Sequence, residues 1–244
     1  EKLLVLLGVP AEHQGRPVNY SDINFLGMAV SQSWNGEKIG EQIKIAAQKV
    51  GHDPLYVISD NASVMSKGIR CSGIAQQRDI SHSLGMLMER TYKNEADFKH
   101  YVSLMTAVKF KYNMKKIAYL LPPTQRTVAR FMNLSPWIKW SSKILDKYHG
   151  LAAEERTVFS FIPQNASLID ELSEAEKCVT TIESICKTKG FSNQTLTECK
   201  QAIRKHLFSG NKRMIKLGIS IYKFLIKEAK VINEDIALNN SSDI

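Results

Sequence analysis

Leu55-Tyr56-Val57-Ile58-Ser59-Asp60-Asn61 is the stretch that decides the fold class of this chain. Four apolar residues in a row, two of them β-branched, are too few for a helix and read as a buried strand. The run stops at a polar Ser-Asp-Asn corner. A segment of helical character then follows from Ser63 to Ile69, closing near Gly68. A strand running straight into a helix is the unit of an α/β layer. In such layers the carboxyl ends of the strands open onto the ligand crevice, and Asp60 is placed at one of them. A carboxylate there suits a hard cation such as Mg²⁺. Helix N-caps use the same residue type, so position alone leaves both readings open.

The neighbouring sequence continues the alternation. Leu3 to Val9 is a continuous apolar run and predicts a buried strand, Pro10 to Pro17 a polar turn, and Ile23 to Val30 a second strand. Gly36 to Val50 carries Ile39, Ile43, Ile45, Ala46 and Val50 at near-helical period, and Asp53-Pro54 ends it. Arg78 to Ser81 predicts a short strand, and His82 to Lys93 a helix with Leu84, Leu87 and Met88 inward. Asp79 and His82 therefore lie three residues apart at a second strand-to-helix junction. They can hydrogen-bond each other or organise a ligand, and they equally fit a cap followed by a surface histidine.

From Asn94 the character changes. Helical spacing recurs over about 96–116, 124–133, 135–148, 165–189, 193–208 and 211–232, punctuated by Pro122-Pro123, Gly150, Gly190 and Gly210. No internal repeat is visible. The division expected is 1–93 for an α/β part, 94–232 for an all-helical part, and 233–244 for a return to the first. The tail Asn239 to Ile244 reads as a cap leading into another helix.

Bulk properties bound the function. With 244 residues and 43% hydrophobic content, a sizeable core is expected. No apolar run reaches membrane-spanning length. Leu3 to Val9 is too short for a signal peptide and lacks a basic lead-in. A start without Met, directly in an apolar run, suggests a fragment. The four cysteines, Cys71, Cys178, Cys186 and Cys199, form no CxxC pair and have no histidine at zinc-finger spacing. Buried free thiols in a reducing cytosol are expected.

The net charge of +9 favours a polyanionic partner. From Lys99 to Lys143 there are nine basic residues and no acid, and from Lys200 to Lys216 six and no acid, whereas Glu154 to Glu183 is acidic. Lys109, Lys111, Lys115, Lys116, Arg126, Arg130, Lys139 and Lys143 are the candidate DNA contacts in the first basic block. Arg126 and Arg130, four apart, share a helix face and suit phosphate. Ordinary solvated helices would show a similar composition. Phe131, Trp137 and Trp140 fit either core packing or stacking on bases.

These residues resemble a known family. Tyr56-Val57-Ile58-Ser59-Asp60-Asn61-Ala62-Ser63, then Lys67-Gly68-Ile69, then Asp79-Ile80-Ser81-His82, look like the second catalytic aspartate of DDE transposases with a helical insertion. In several such groups that aspartate is followed by a Cys-or-Asp, two residues, then His, which Asp79 and His82 match. Leu120-Leu121-Pro122-Pro123, Ala129-Arg130-Phe131-Met132-Asn133-Leu134 and Ser33-Trp34-Asn35-Gly36-Glu37 are similar to bacterial insertion-sequence transposases.

The resemblance implies an incomplete α/β RNase H-like core with a large all-α insertion. Asp60 would be the metal-binding second aspartate, with Asp79 and His82 supporting the site. The first aspartate would lie upstream of Glu1 and the final glutamate past Ile244. Glu171, Glu228 and Glu234 lack the motif around them. The implied chemistry is two-metal phosphoryl transfer with Mg²⁺ or Mn²⁺, in which three carboxylates hold two ions that activate the nucleophile and stabilise the leaving oxygen. The implied partners are transposon-end and target DNA, with a homodimer or higher oligomer on DNA and no membrane. The implied location is the bacterial cytoplasm, at the nucleoid. A non-catalytic DNA-binding transposase derivative and another RNase H-like nuclease are the competing expectations.

Overall fold

The computed structural model describes residues 1–9, 18–124 and 134–230. It is mostly helical, with two small sheets near the N-terminus. The chain divides into two compact units. The first holds Glu1–Leu84, Thr181–Ala202 and the residues from Ile221 on, and the second holds Gly85–Thr180 and Ile203–Ser220. The sequence marks one change of character at Asn94. The structure instead groups the later parts of two long helices, and the first part of a third, with the strands.

In the first unit, β1 (Lys2–Gly8) and β2 (Asn24–Ser31) form an antiparallel hairpin with an irregularity between Leu6 and Leu7. Leu4 is buried and Leu6 partly so, while Leu3, Val5 and Leu7 face out, opposite Val30, Met28 and Phe25. All six of these outward residues are exposed. The sequence reads β1 as buried throughout. It is one-sided because a hairpin strand in this position meets helices on one face only.

Below the inner face lie α1 (Gly36–Val50) and α2 (Ser63–Ser72). Asn35 caps α1 by accepting from Lys38 N at 2.9 Å, and Gly51 ends it in the left-handed region at φ 86°. Trp34 donates from Nε1 to the Lys2 carbonyl at 3.0 Å, pinning the helix entry to the hairpin. Leu4, Ile39, Ile43 and Ile69 form the buried cluster here, with Leu6, Trp34, Val57, Val64, Met65 and Ile74 packed on it.

Gly68 does not end α2, as its sequence position suggests; the helix continues to Ser72. Gly68 instead lets α2 touch α1, because a Cβ there would come within 2.4 Å of Ile39 Cγ2. Between β3 (Val57–Ser59) and β4 (Gln76–Arg78), α2 forms the crossover of a parallel pair. The strand expected from Leu55 is shorter, with Leu55 exposed.

Next comes α3 (Ile80–Tyr92), which passes from the first unit into the second. The second unit holds α4 (Ala96–Tyr112), a 3₁₀ turn at Lys116–Leu120, α5 (Ser135–Lys147) and two short helices, α6 (Ala153–Val158) and α7 (Phe161–Gln164). The long helices are α8 (Ala166–Lys189), α9 (Asn193–His206) and α10 (Lys212–Ala229). In the second unit Phe98, Tyr101, Trp137, Ile138, Ile169 and Leu172 enclose one small interior space. Arg213 bridges Glu171 at 2.7 Å and Asp97 at 2.8 Å, joining the starts of α4, α8 and α10. The two carboxylates hold its guanidinium charged, Glu171 more than Asp97.

Cys178, Cys186 and Cys199 are buried free thiols, as expected, but Cys71 is exposed. No helix among the described residues is long and apolar enough to cross a membrane.

Gly68→Ala should destabilise the chain by about 1–3 kcal/mol through overpacking at Ile39. Gly27→Ala, where an added Cβ meets nothing within 4 Å, serves as the control. Urea unfolding of both variants measures the difference, and equal midpoints would contradict the α1–α2 packing.

Candidate functional site

The site is organised by the parallel pair. Val57, Ile58 and Ser59 align with Gln76, Gln77 and Arg78, and the Asp79 amide donates to the Ser59 carbonyl at 2.9 Å. The pairing runs out at this bond, so Asp60 and Asp79 leave adjacent strand ends. Sequence reasoning placed both at strand-to-helix junctions. Their juxtaposition comes from the parallel register.

The two carboxylates have different surroundings. Asp60 is exposed, and its Oδ1 accepts from Ala62 N at 3.0 Å. That bond closes a turn ahead of α2. The residue at the N-cap position of α2 is Ala62, which has no capping side chain, so the N-cap reading of Asp60 does not hold. Asp79 is buried, 2% exposed. Its Oδ1 accepts from His82 N at 2.8 Å and so caps the first turn of α3. The Asp79–His82 pair therefore meets through the histidine's backbone amide. His82 is half-buried.

A polar network holds the corner. Asn61 Nδ2 donates to Ser83 Oγ at 3.1 Å, and Gln76 Nε2 to Ser59 Oγ at 2.8 Å. These bonds fix the backbone on both sides of Asp60. Gln77 alongside is fully buried, and its side-chain amide has no hydrogen-bond partner among the described residues. It is the polar defect of this layer.

Two glutamates from later helices reach the same strand end. Glu228 of α10 is buried and accepts from Arg78 N at 3.1 Å, with the Arg78 guanidinium Nε at 3.7 Å. Burial pushes its carboxyl above the usual range, opposed by the Arg78 amide and charge. Glu183 of α8 accepts from Ser81 Oγ and pairs with Lys187 at 2.6 Å. Sequence reasoning set Glu228 aside for want of a motif. A signal was present: Met214, Leu217, Ile221, Leu225 and Glu228 recur at three- and four-residue spacing, which puts the glutamate on the buried stripe of α10. Glu171, set aside on the same ground, is committed to Arg213 in the second unit.

As to a cation, Asp60 offers a hard, solvent-facing oxygen, and this part of the donor set fits Mg²⁺. Asp79 has one oxygen committed to capping. No group of three His, Cys, Asp or Glu that could hold a metal ion occurs among the described residues. The fit is thus confined to one ligand.

The basic candidates also separate. Lys109 donates to Thr124 Oγ1 at 2.6 Å, and partial burial lowers its pKa. Lys111 lies over the Tyr112 ring, 5.3 Å from its centroid. Lys115, Lys116 and Lys143 are exposed, and Lys139 is exposed with Glu176 at 3.9 Å. Arg126, Arg130 and Phe131 lie outside the described residues. In the second basic block Arg213 is consumed by carboxylates, and Lys200 sits over the Tyr222 ring at 5.4 Å. Trp137 is buried in the core, and Trp140 is half-buried. Their Nε1 atoms donate to the Pro123 and Leu120 carbonyls, both at 2.8 Å, and Trp140 packs edge-on to Phe159.

Compared with known proteins, the chain matches no protein-family model and no curated sequence.

Glu228→Gln tests the buried carboxylate. A raised folded-state pKa means that the stability tied to the protonated form is present at low pH and lost as pH rises through the folded value. The glutamine keeps an acceptor for Arg78 N and does not ionise. Thermal melts from pH 4 upward should show the wild type losing stability relative to the variant. Parallel curves would refute a raised pKa.

Proposed function

We propose that this chain is part of a DDE-type DNA transposase, with an RNase H-like core interrupted by a helical insertion, and that Asp60 is a metal-ligating carboxylate of its active site. One observation carries the reading: Asp60 stands solvent-facing at the carboxyl end of β3, beside its parallel neighbour β4. That is where α/β sheets bind ligands.

The strands support it. The β1–β2 hairpin and the β3–β4 pair lean on the same α1–α2 layer through Leu4, Leu6 and Val57. Among the described residues, β1 and β3 each pair on one side only. A strand between them would merge the two pairs into one sheet; the resemblance puts the first aspartate on a strand ahead of β1 in sequence. The final glutamate is assigned to the region past Ile244 on the same ground.

In the proposed reaction water cleaves a phosphodiester at the transposon end and frees a 3′-hydroxyl, which then attacks a target phosphodiester, forming a new bond to its phosphorus and displacing the target's 3′-oxygen as the leaving group. Bound Mg²⁺ or Mn²⁺ supplies charge neutralisation at the phosphate and a more acidic nucleophile. Asp60 contributes an oxygen ligand whose aim is set by the Ala62 amide, and the Asn61–Ser83 bond steadies the corner. Asp79 positions α3 beneath the site. The lysines at the end of α4 and on α5 bind the DNA backbone, and each phosphate contact should steepen the salt dependence by about 0.9 in slope. A homodimer or higher oligomer assembled on transposon ends is part of the proposal.

Asp60→Ala in the parent protein should abolish Mg²⁺-dependent cleavage of transposon-end DNA. Loss of a direct ligand should exceed the roughly 10–100-fold seen for residues behind the ligands. DNA affinity, read by gel shift, should stay within a factor of about two, since one exposed carboxylate is removed from a backbone-driven interface. Undiminished cleavage by this variant would overturn the assignment. Cleavage without strand transfer in the wild type would point to a different RNase H-like nuclease.

A further inference from the structure

Of the tryptophans that fit base stacking, Trp137 is buried in the core and Trp140 is half-buried, bonded to the Leu120 carbonyl and packed on Phe159. Other large apolar residues are exposed. Phe110 is 85% exposed, Met114 90% and Tyr119 75%, all within ten residues at the end of α4 and the turn after it. Four lysines, Lys109, Lys111, Lys115 and Lys116, are interleaved with them. We propose that this segment is a stacking platform for unpaired nucleotides of DNA, an inference that rests on the DNA-binding function proposed above.

The exposure follows from the helix itself. Phe98, Tyr101 and Met105 are the buried residues of α4. Phe110 is five positions beyond Met105, so it lies roughly 140° round the helix from the core-facing stripe. Met114 lies in the turn just after α4 and is likewise open to solvent. Tyr119 is held in place while its ring stays open. Its hydroxyl donates to Glu155 Oε1 at 2.8 Å, and that bond raises its pKa.

Charge selects the partner. Lys115 and Lys116 are exposed and make no ion pair among the described residues, and no acid occurs in sequence from Lys99 to Lys143. An apolar protein surface docking here would have to desolvate these ammonium groups without compensation. A nucleic acid supplies phosphates for the lysines and flat apolar faces for the rings. Duplex DNA keeps its base faces stacked inside. An overhang, or a base displaced beside a cut end, presents them.

The test uses the full chain with three fluorescent oligonucleotides: a blunt duplex, the same duplex with a four-nucleotide 3′ overhang carrying 2-aminopurine, and a single strand. The wild type should prefer the overhang to the blunt duplex, and 2-aminopurine fluorescence should fall on binding. Phe110→Ala and Tyr119→Ala should each remove that preference and weaken overhang binding about five- to hundredfold. Both sites are exposed, so unchanged melting curves are expected. Lys115→Ala with Lys116→Ala should weaken all three DNAs and flatten the salt slope by up to about two.

Equal binding of blunt and overhang DNA, or wild-type behaviour of Phe110→Ala, would overturn the proposal. So would concentration-dependent self-association that Phe110→Ala abolishes with no change in DNA binding, since the patch would then be a protein contact. Asp60-dependent cleavage in the parent is scored separately. If it survives while stacking fails, only this inference falls.

Discussion

α1 and α2 touch almost backbone to backbone, and the α/β unit rests on that contact. At Gly68 an added Cβ would strike the Ile39 side chain, and at Gly40 it would come within 2.9 Å of the Gly68 carbonyl. Only residues without a Cβ allow this approach. Because the two helices close together, Ile39, Ile43 and Ile69 form one apolar surface, which receives the hairpin through Leu4 and the parallel pair through Val57. The strands are short and few, and a three-residue pair has little stability of its own. Their register is set by what lies beneath them.

That register brings two aspartates to one edge and gives them unlike tasks. Asp79 is buried and spends an oxygen on the His82 amide, which starts α3 at the sheet. Asp60 is exposed, with one oxygen used in a local turn. Burial and hydrogen bonding decide which carboxylate serves the fold and which stays at the solvent-facing surface. Glu228 shows the same logic from another helix, since a buried carboxyl that answers a strand-edge amide is a structural group first.

The second unit handles charge in a comparable way. Arg213 is drawn between Glu171 and Asp97 and becomes a tie between helices. Lys115 and Lys116 stay in solvent beside exposed rings. Basic residues that look equivalent in a charge count thus divide into those that build the fold and those left in solvent.

Much of this was legible in the sequence. α1 spans the stretch Gly36–Val50 that helical period predicts, and the apolar runs locate β1, β2 and β3 to within a few residues. The strand predicted over Arg78 to Ser81 is not where the structure has it: β4 is the polar Gln76–Arg78, and Ile80 already begins α3. Asp60 and Asp79 were recognisable as strand-end carboxylates because local patterning suffices to place a strand end. What local patterning does not contain is the neighbour across space. The one-sided exposure of β1, the use of Gly68 as a contact point, the commitment of Trp137, Trp140 and Arg213 to packing, and the arrival of Glu228 at Arg78 all depend on residues distant in sequence. The sequence by itself determined the elements and the residues able to bind cations or phosphate. Only the tertiary structure decided which of those groups burial would consume and which it would leave facing solvent.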